Sequence, residues 1–253
     1  MRTAILPKFL TPQHSDHLIR IGRDFDGGYL IDERDLEKTS LLISLGVNED
    51  WSFEKQFTSR RRIPVYAYDA TLNIKYLVRR VWRSILRLNP IYIIRSLSAL
   101  LDYPIFFSGK NRHTQKYVGL TSPGYTTLTA IIAEATKATD VDNGIFVKID
   151  IEGWEYRLLD EVIAIADKMT GLAIELHDVD LHLDKLEKFI ERFPLKLAHL
   201  HVNNYSPTNA NGTPLAIECT FTSSPTSEKL ERLPHPLDMP NKRNREEYTV
   251  TFL

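Results

Sequence analysis

The feature that most constrains this chain is an alternation of short apolar runs with stretches of helical period, in which nearly every run ends on a polar residue. "LLISL", Leu41 to Leu45, reaches Gly46 and a polar turn before a helix that starts near Ser52. "IPVYAYDAT" is a second strand closing on Asp69, and "KYVGLT" is a third. "GIFVKIDIEG", "TGLAIELHD", "LKLAHLHVNN" and "PLAIECTFT" are the fourth to seventh, and "EYTVTFL" follows near the chain end. Helical patterns fill the gaps in "TLTAIIAEATKA", "EYRLLDEVIAIADKM" and "DKLEKFIERF". Strand and helix in this order predict an α/β fold: a mostly parallel sheet with helices on both faces, closed by an antiparallel edge where only loops separate the late strands. At 253 residues the expectation is one domain, 1–253, with a lead-in over 1–40 and a basic helical insertion over 73–116 between the second and third strands. Within the lead-in, Asp26-Gly27-Gly28 reads as the tight turn of a small hairpin.

Charge narrows the range of partners. Lys and Arg number 32 against 33 Asp and Glu, a net charge of -1, so the chain as a whole exerts no pull on polyanions and nucleic acid is not an expected partner. From Asn73 to Phe107 the insertion departs from this balance, with Lys75, Arg79, Arg80, Arg83, Arg87 and Arg95 set against Asp102 alone. Arg79, Arg83 and Arg87 repeat at helical spacing while Val78, Val81, Trp82, Ile85 and Leu86 cover another side, which describes a basic amphipathic helix. The ordinary reading of such a helix is a solvated face. The sharper one is contact of 74–107 with an anionic lipid surface or a lipid-linked sugar phosphate. A single cysteine, Cys219, excludes an internal disulfide framework and a cysteine-rich zinc site. No apolar core of a signal peptide is present in "MRTAILPKFLTPQHSDHL", and no run reaches the ~18 apolar residues of a membrane span, so a cytoplasmic protein is expected, peripheral to the inner face of the membrane if the insertion docks there. Residues Thr222 to Glu246, rich in Pro, Ser, Lys and Arg, read as a surface loop.

In open α/β sheets ligands sit beyond the carboxyl ends of the strands, where the strand order reverses. The residues collected there are Gly46, Asp69, Asp150, Glu152, Glu175, His177, His201, Asn203 and Asn204. A glycine after the first strand lets backbone approach a ligand, and an acid about 20 residues on suits the two hydroxyls of a ribose. "GVNEDW" has neither the glycine pattern of a dinucleotide fold nor the G-K-[ST] of a P-loop, so a ribose-bearing ligand without a pyrophosphate fits better, S-adenosylmethionine being the common one.

Three blocks, "LISLGVNEDWSFEKQF", "VYAYDAT" and "FVKIDIEGWEYRLLDE", resemble in order and spacing the FkbM-type family of S-adenosylmethionine-dependent methyltransferases, and "RIGRDFDGGYLI" is similar to a segment that precedes them in some relatives. The resemblance covers Arg20 to His177, and its most specific part is K-I-D-x-E-G-x-E at Lys148 to Glu155. It implies a Rossmann-like class I methyltransferase fold with a central seven-stranded sheet and S-adenosylmethionine as cofactor. The cofactor would be held by Gly46, Asn48, Ser52, Glu54, Asp69, Ala70, Asp150 and Glu152, with Asp69 on the ribose hydroxyls and Glu54 at the amino or ribose end. Asp150 would lie near the sulfonium and the acceptor. The implied activity is O-methylation of a sugar, a glycan end or a small molecule, in which His177 or His201 removes the acceptor's proton and a carboxylate serves if desolvated.

Other readings stay open beside it. Asp150, Glu175 and His201, with His177 and Asn203 nearby, supply oxygen and nitrogen ligands for a divalent metal. The same residues would suit a metal-dependent hydrolase, and a non-catalytic cofactor-binding protein would keep the fold. Trp51 and Trp154 read as packing residues, Glu155 as a helix-start residue and Asp160 as an exposed one.

Overall fold

The central sheet of the computed structural model, which describes residues 2–230 and 232–253, has seven strands. They are numbered β1 (Leu41–Leu45), β2 (Val65–Tyr68), β3 (Arg112–Thr114), β4 (Ile145–Ile149), β5 (Met169–His177), β6 (Lys196–Val202) and β7 (Ala216–Thr222). Their order is 6-7-5-4-1-2-3. The pairs from β5 through β4, β1 and β2 to β3 are parallel, and β7 runs antiparallel to both β5 and β6. This is the Rossmann-like, class I methyltransferase fold expected from the sequence, with the reversed strand lying one in from the edge. The order changes direction at β1 and β4, which places the crevice of such a sheet beyond Gly46 and Asp150. The single-domain expectation also takes in residues 1 and 231, which lie outside the described residues.

The helices are α1 (Glu33–Lys38), α2 (Ser52–Arg60), α3 (Ile74–Leu86), α4 (Pro90–Phe106), α5 (Leu128–Thr139), α6 (Leu159–Ala164) and α7 (Val179–Arg192). Side-chain caps start several of them: Asn73 accepts from the Tyr76 amide, Asn89 from that of Tyr92 and Thr127 from that of Ala130. β1 and β4 are buried along their whole length because helices cover both faces, so their apolar residues need not alternate. On one face α5 packs Leu128, Ile131, Ile132 and Ala135 into the larger core, and on the other α2 sets Phe53 and Phe57 against Phe146.

Several boundaries differ from the sequence reading. The third strand is Arg112–Thr114, not "KYVGLT". It is short and polar, its place set by pairing with the free edge of β2, and it falls inside the span 73–116 read as insertion. Tyr117–Val118 instead forms a separate two-stranded pair with Tyr125–Thr126. The stretch "EYRLLDEVIAIADKM" is α6 flanked by two 3-10 turns rather than one helix. Tyr248–Phe252 leaves the main sheet to pair with Arg2–Leu6. The lead-in hairpin exists, with Leu18–Ile21 antiparallel to Tyr29–Asp32, but its loop runs from Gly22 to Gly28 and is not a tight turn. It lies over β5 and β7, where the Thr220 hydroxyl donates to the Leu30 carbonyl at 2.5 Å. Nor is the stretch from Thr222 to Glu246 only a surface loop: Ser227–Leu230 pairs with Gln13–His14, and buried Asn241 donates to Glu218 at 2.5 Å.

One contact sets the geometry at the crevice. Gly46 has φ +76°, and a Cβ built on it would lie 1.6 Å from the Asp150 carbonyl oxygen. The glycine is therefore required by the approach of β4 as well as by its own left-handed backbone. Gly46→Ala is expected to destabilise the fold by roughly 3–5 kcal/mol, read as a lowered urea midpoint at unchanged m-value.

Candidate functional site

Two cavities open beyond the carboxyl ends of the strands and meet at Asp150. The first, of about 550 Å³, is lined by Gly46, Asn48, Asp69, Ala70, Asp150 and Glu152, together with Tyr117, Tyr125 and Trp154. The second, of about 370 Å³, shares Asn48, Asp150 and Glu152 and adds Arg23, Asp26, Asp50, Lys148, Glu175, His177, Asn203 and Tyr205. Both fall in the size range of small-molecule sites, and the second has a lining crowded with hydrogen-bonding groups.

Six of the eight residues expected to hold a cofactor thus line the first cavity, and Ser52 and Glu54 do not. The Ser52 hydroxyl accepts from the Arg23 amide at 3.0 Å and borders a separate hollow between the loop after β1 and α4. Glu54 is fully buried and accepts from the Ser44 hydroxyl. Burial raises its pKa and the neighbouring Lys148 charge opposes the rise, so this carboxylate serves a cation inside the protein.

Asp69 lines the cavity, but its carboxylate is engaged. Oδ2 accepts from the amides of Val47 at 3.1 Å and Asn48 at 2.7 Å. Oδ1 accepts from the Thr71 amide at 2.7 Å, the Thr71 hydroxyl at 2.6 Å and the Leu72 amide at 3.0 Å. A carboxylate offers about four lone-pair sites, so these donors fill it. Burial pushes its pKa up, but the donors from Thr71, Asn48 and Leu72 outweigh that and hold it below the usual range. Asp69 clips the loops after β1 and β2 together, and ribose hydroxyls could reach it only by displacing one of those donors.

The acids of the second cavity behave differently. The Tyr29 hydroxyl lies 3.2 Å from Asp150 Oδ2 and 3.4 Å from Glu175 Oε2, so its one proton serves two carboxylates. Asn203 Nδ2 donates to Glu175 Oε1 at 2.6 Å, and Lys148 Nζ stands 3.9 Å from Asp150 Oδ2. Burial raises the pKa of both acids. Asp150 pushes Glu175 further up, while the charges of Lys148 and His177 restrain Asp150. His177 Nδ1 is 3.1 Å from Glu155, and Nε2 is 3.7 Å from Glu152 and 3.8 Å from Glu175. Burial lowers the imidazole pKa, but the hydrogen bond to Glu155 and the surrounding acids prevail and lift it from 6.5 to about 9. The surrounding acids thus favour the protonated ring near neutral pH, a setting that suits a hydrogen-bond donor better than the proton acceptor expected from the sequence.

His201, also expected at the site, stands apart from it. It is buried on β6, with Nδ1 3.2 Å from Glu218 and Nε2 3.3 Å from Glu247, and it lines neither cavity. The metal set changes with it. Asp150, Glu175 and His177 each place a ligand atom within 4.8 Å of the others, so His177 takes the place given to His201. Its Nδ1 engages Glu155 and leaves Nε2 toward the acids, the arrangement of a metal-ligating histidine oriented by a carboxylate.

Three features of the two cavities escaped the sequence reading. Trp154, read as packing, lines the first cavity and stacks with Tyr125 at 6.0 Å and 25°, which in turn stacks on Tyr117 at 5.2 Å and 29°. Glu155 is fully buried and turns back, accepting from the amides of Ile151 at 3.0 Å and Gly153 at 3.2 Å, so it holds the loop after β4 as well as His177. The lead-in contributes Arg23, Asp26 and Tyr29. The available signals were the position of Trp154 and Glu155 within the K-I-D-x-E-G-x-E block, and "DFDGGY" in a resembling segment. Trp51 is indeed a packing residue, buried against Tyr103 and Phe107, and Asp160 is exposed in an ion pair with Arg192.

No protein-family model matches the chain, and no curated protein sequence matches it. Solved structures similar to it include the precorrin-6y C5,15-methyltransferase of Geobacter metallireducens, at 12% identity over 76% of this chain and 86% of that one, TM-score 0.36. The fibrillarin pre-rRNA processing protein of Methanococcus jannaschii is similar at 11% identity over 74% and 68%, TM-score 0.37. A mutant 16S rRNA (adenine(1408)-N(1))-methyltransferase of Catenulisporales acidiphilia is similar at 8% identity over 81% and 100%, TM-score 0.36. These likenesses are distant, and the fold rests on the strand order described above.

A histidine whose pKa is raised on folding adds stability that is complete below its unfolded value of 6.5 and is lost as pH rises through about 9. An NMR titration of His177 is expected to show a midpoint near 9. Glu155→Gln should lower that midpoint by about one unit or more, because it removes the charge that accepts from the ring.

Proposed function

We propose that this protein is an S-adenosylmethionine-dependent O-methyltransferase of the FkbM type, acting on a hydroxyl of a sugar, a glycan end or another small polyol. The observation that carries the reading is the meeting of two cavities at Asp150, beyond β1 and β4 at the turning point of the sheet. In this reading the first cavity takes the cofactor. The Tyr117–Tyr125–Trp154 stack offers it an aromatic wall, and Gly46, Asn48 and Ala70 offer backbone. When bound, the cofactor supplies an electrophilic methyl group on a sulfonium. The second cavity takes the acceptor, whose hydroxyls find Asn203, Tyr205, Arg23 and Asp26 as partners.

Asp150 is the proton acceptor in this scheme. It faces both cavities, and burial makes its carboxylate a stronger base than an exposed aspartate. Lys148 and the His177 cation keep it ionised, and Tyr29 orients it through the 3.2 Å contact. His177 donates rather than accepts, toward Glu152, Glu175 or an acceptor oxygen.

Saturating S-adenosylmethionine or S-adenosylhomocysteine, at about 100 times Kd, is expected to raise the melting temperature by about 5–10 °C. No shift with either ligand would remove the reading, and a shift without turnover on any hydroxyl acceptor would leave a cofactor-binding protein. Asp150→Asn is expected to lower kcat by about 10²–10⁴-fold while the shift persists.

A second reading is favoured by the Asp150, Glu175 and His177 constellation: a divalent ion that orients two acceptor oxygens, or that serves a metal-dependent hydrolase. Chelator treatment separates the two. Unchanged methyl transfer discards the ion, and metal-dependent hydrolysis with no response to S-adenosylmethionine would replace the first reading.

A further inference from the structure

The insertion forms an antiparallel pair of helices, α3 and α4, whose base is tied to the body. Arg80 pairs with Glu49 at 2.5 Å, Lys55 with Asp102 at 2.7 Å, and the Trp51 indole donates to Asp102 at 2.6 Å. Tyr103 and Phe107 pack on Trp51 at the same end. These ties use up Arg80 and Asp102, one charge of each sign. Lys75, Arg79, Arg83, Arg87 and Arg95 are exposed and form no ion pair among the described residues, so the excess of positive charge stays on the hairpin's free surface.

The same surface is apolar. Leu77, Val81 and Ser84 form the buried side of α3, while Ile74, Val78, Trp82 and Ile85 recur at three- or four-residue spacing on the exposed side. On α4, Ile91, Ile94, Leu101 and Ile105 are exposed and only Ser96 is fully buried, so this helix is apolar on the face it turns to solvent. At the tip Leu86 is 80% exposed, and Leu88 is 84% exposed in a left-handed conformation of φ 51°, strained for a leucine. So many large apolar side chains left exposed on one hairpin mark an interaction site.

We infer that the α3–α4 hairpin is a docking element for an anionic lipid bilayer. Charge complementarity selects this occupant. Five unpaired cations flank the apolar stripe, and a second copy packed on the same face would set one set of cations against the other. Leucines at the tip, isoleucines along α4 and the amphipathic ring of Trp82 suit the boundary between head groups and acyl chains, with the arginines reaching phosphates. The hairpin lies on the bilayer and does not span it, since no helix among the described residues is long and apolar enough to cross a membrane. Arg80 and Glu49 also line the second cavity, so the docking element is continuous with that cavity's wall.

The full chain is sedimented with vesicles of phosphatidylcholine alone and with vesicles that also contain phosphatidylglycerol. It is expected to pellet with the anionic vesicles, less so at raised salt, and to remain in solution with the neutral ones. The triple variant Arg79→Glu, Arg83→Glu, Arg87→Glu and the double variant Leu86→Ser, Leu88→Ser change only exposed side chains. Each is expected to keep the wild-type circular dichroism and melting temperature and to lose at least about tenfold in partitioning. Equal pelleting with both vesicle types, pelleting with neither, or variants that partition like the wild type would overturn the inference. So would a dimer in sedimentation velocity that the leucine variant converts to monomer, since a second copy would then cover the face. None of these outcomes depends on cofactor binding, which the melting-temperature shift decides separately.

Discussion

Lys148 is a cation inside the sheet, and the surrounding side chains are placed around its charge. Its Nζ donates to the Gly46 carbonyl at 2.9 Å and lies 5.4 Å from the centre of the Tyr29 ring. An ammonium group moved out of water costs several kcal/mol unless it is paired and hydrogen-bonded. Glu54 supplies the deep countercharge from α2 and Asp150 the one at the cavity mouth, and both hold the Lys148 pKa above its usual value against the pull of burial. This is why Glu54 turns inward. It also brings Gly46 against the end of β4, where only a residue without a Cβ fits.

The two strand-end aspartates show how environment divides like groups. Asp69 meets amides and a hydroxyl in two loops and is saturated, so it serves as a clip. Asp150 meets a shared phenol and two cations in a half-buried setting, so its carboxylate keeps free acceptor capacity with a raised affinity for protons. Groups whose surroundings push their pKa values apart take different parts in chemistry. Identical residue type and identical placement after a strand therefore predict nothing about role until the neighbouring donors are known.

Much of the crevice was legible in the chain. The polar terminations of β1, β2, β4 and β5 pointed to the same end of the sheet because side-chain period and strand polarity are local properties. Gly46, Asp69, Asp150 and Glu152 line the first cavity for that reason, and Asn48 and Ala70, which only the family resemblance implied, line it beside them. His201 shows the limit. It shares the alternation of His199 and Asn203 on β6, yet its two ring nitrogens meet Glu218 from β7 and Glu247 from near the chain end, partners distant in sequence. The third strand was illegible for a related cause, since Arg112–Thr114 has no apolar pattern and becomes a strand through the free edge of β2.

The sequence by itself determined the α/β class, the parallel core strands and the end of the sheet where polar groups collect. It also determined the local excess of basic and apolar residues in the insertion, because periodicity, composition and strand order are written along the chain. Only the tertiary structure decided which acid became a clip and which kept a raised affinity for protons. Long-range packing likewise raised the proton affinity of His177, turned Trp154 into a cavity wall, laid the lead-in hairpin over the second cavity, and left the α3–α4 surface exposed. Each of these depends on contacts between residues far apart in the chain, and on the burial that such contacts create. Burial and charge pairing set proton affinity and accessibility, and neither is a property of a residue's own stretch of sequence.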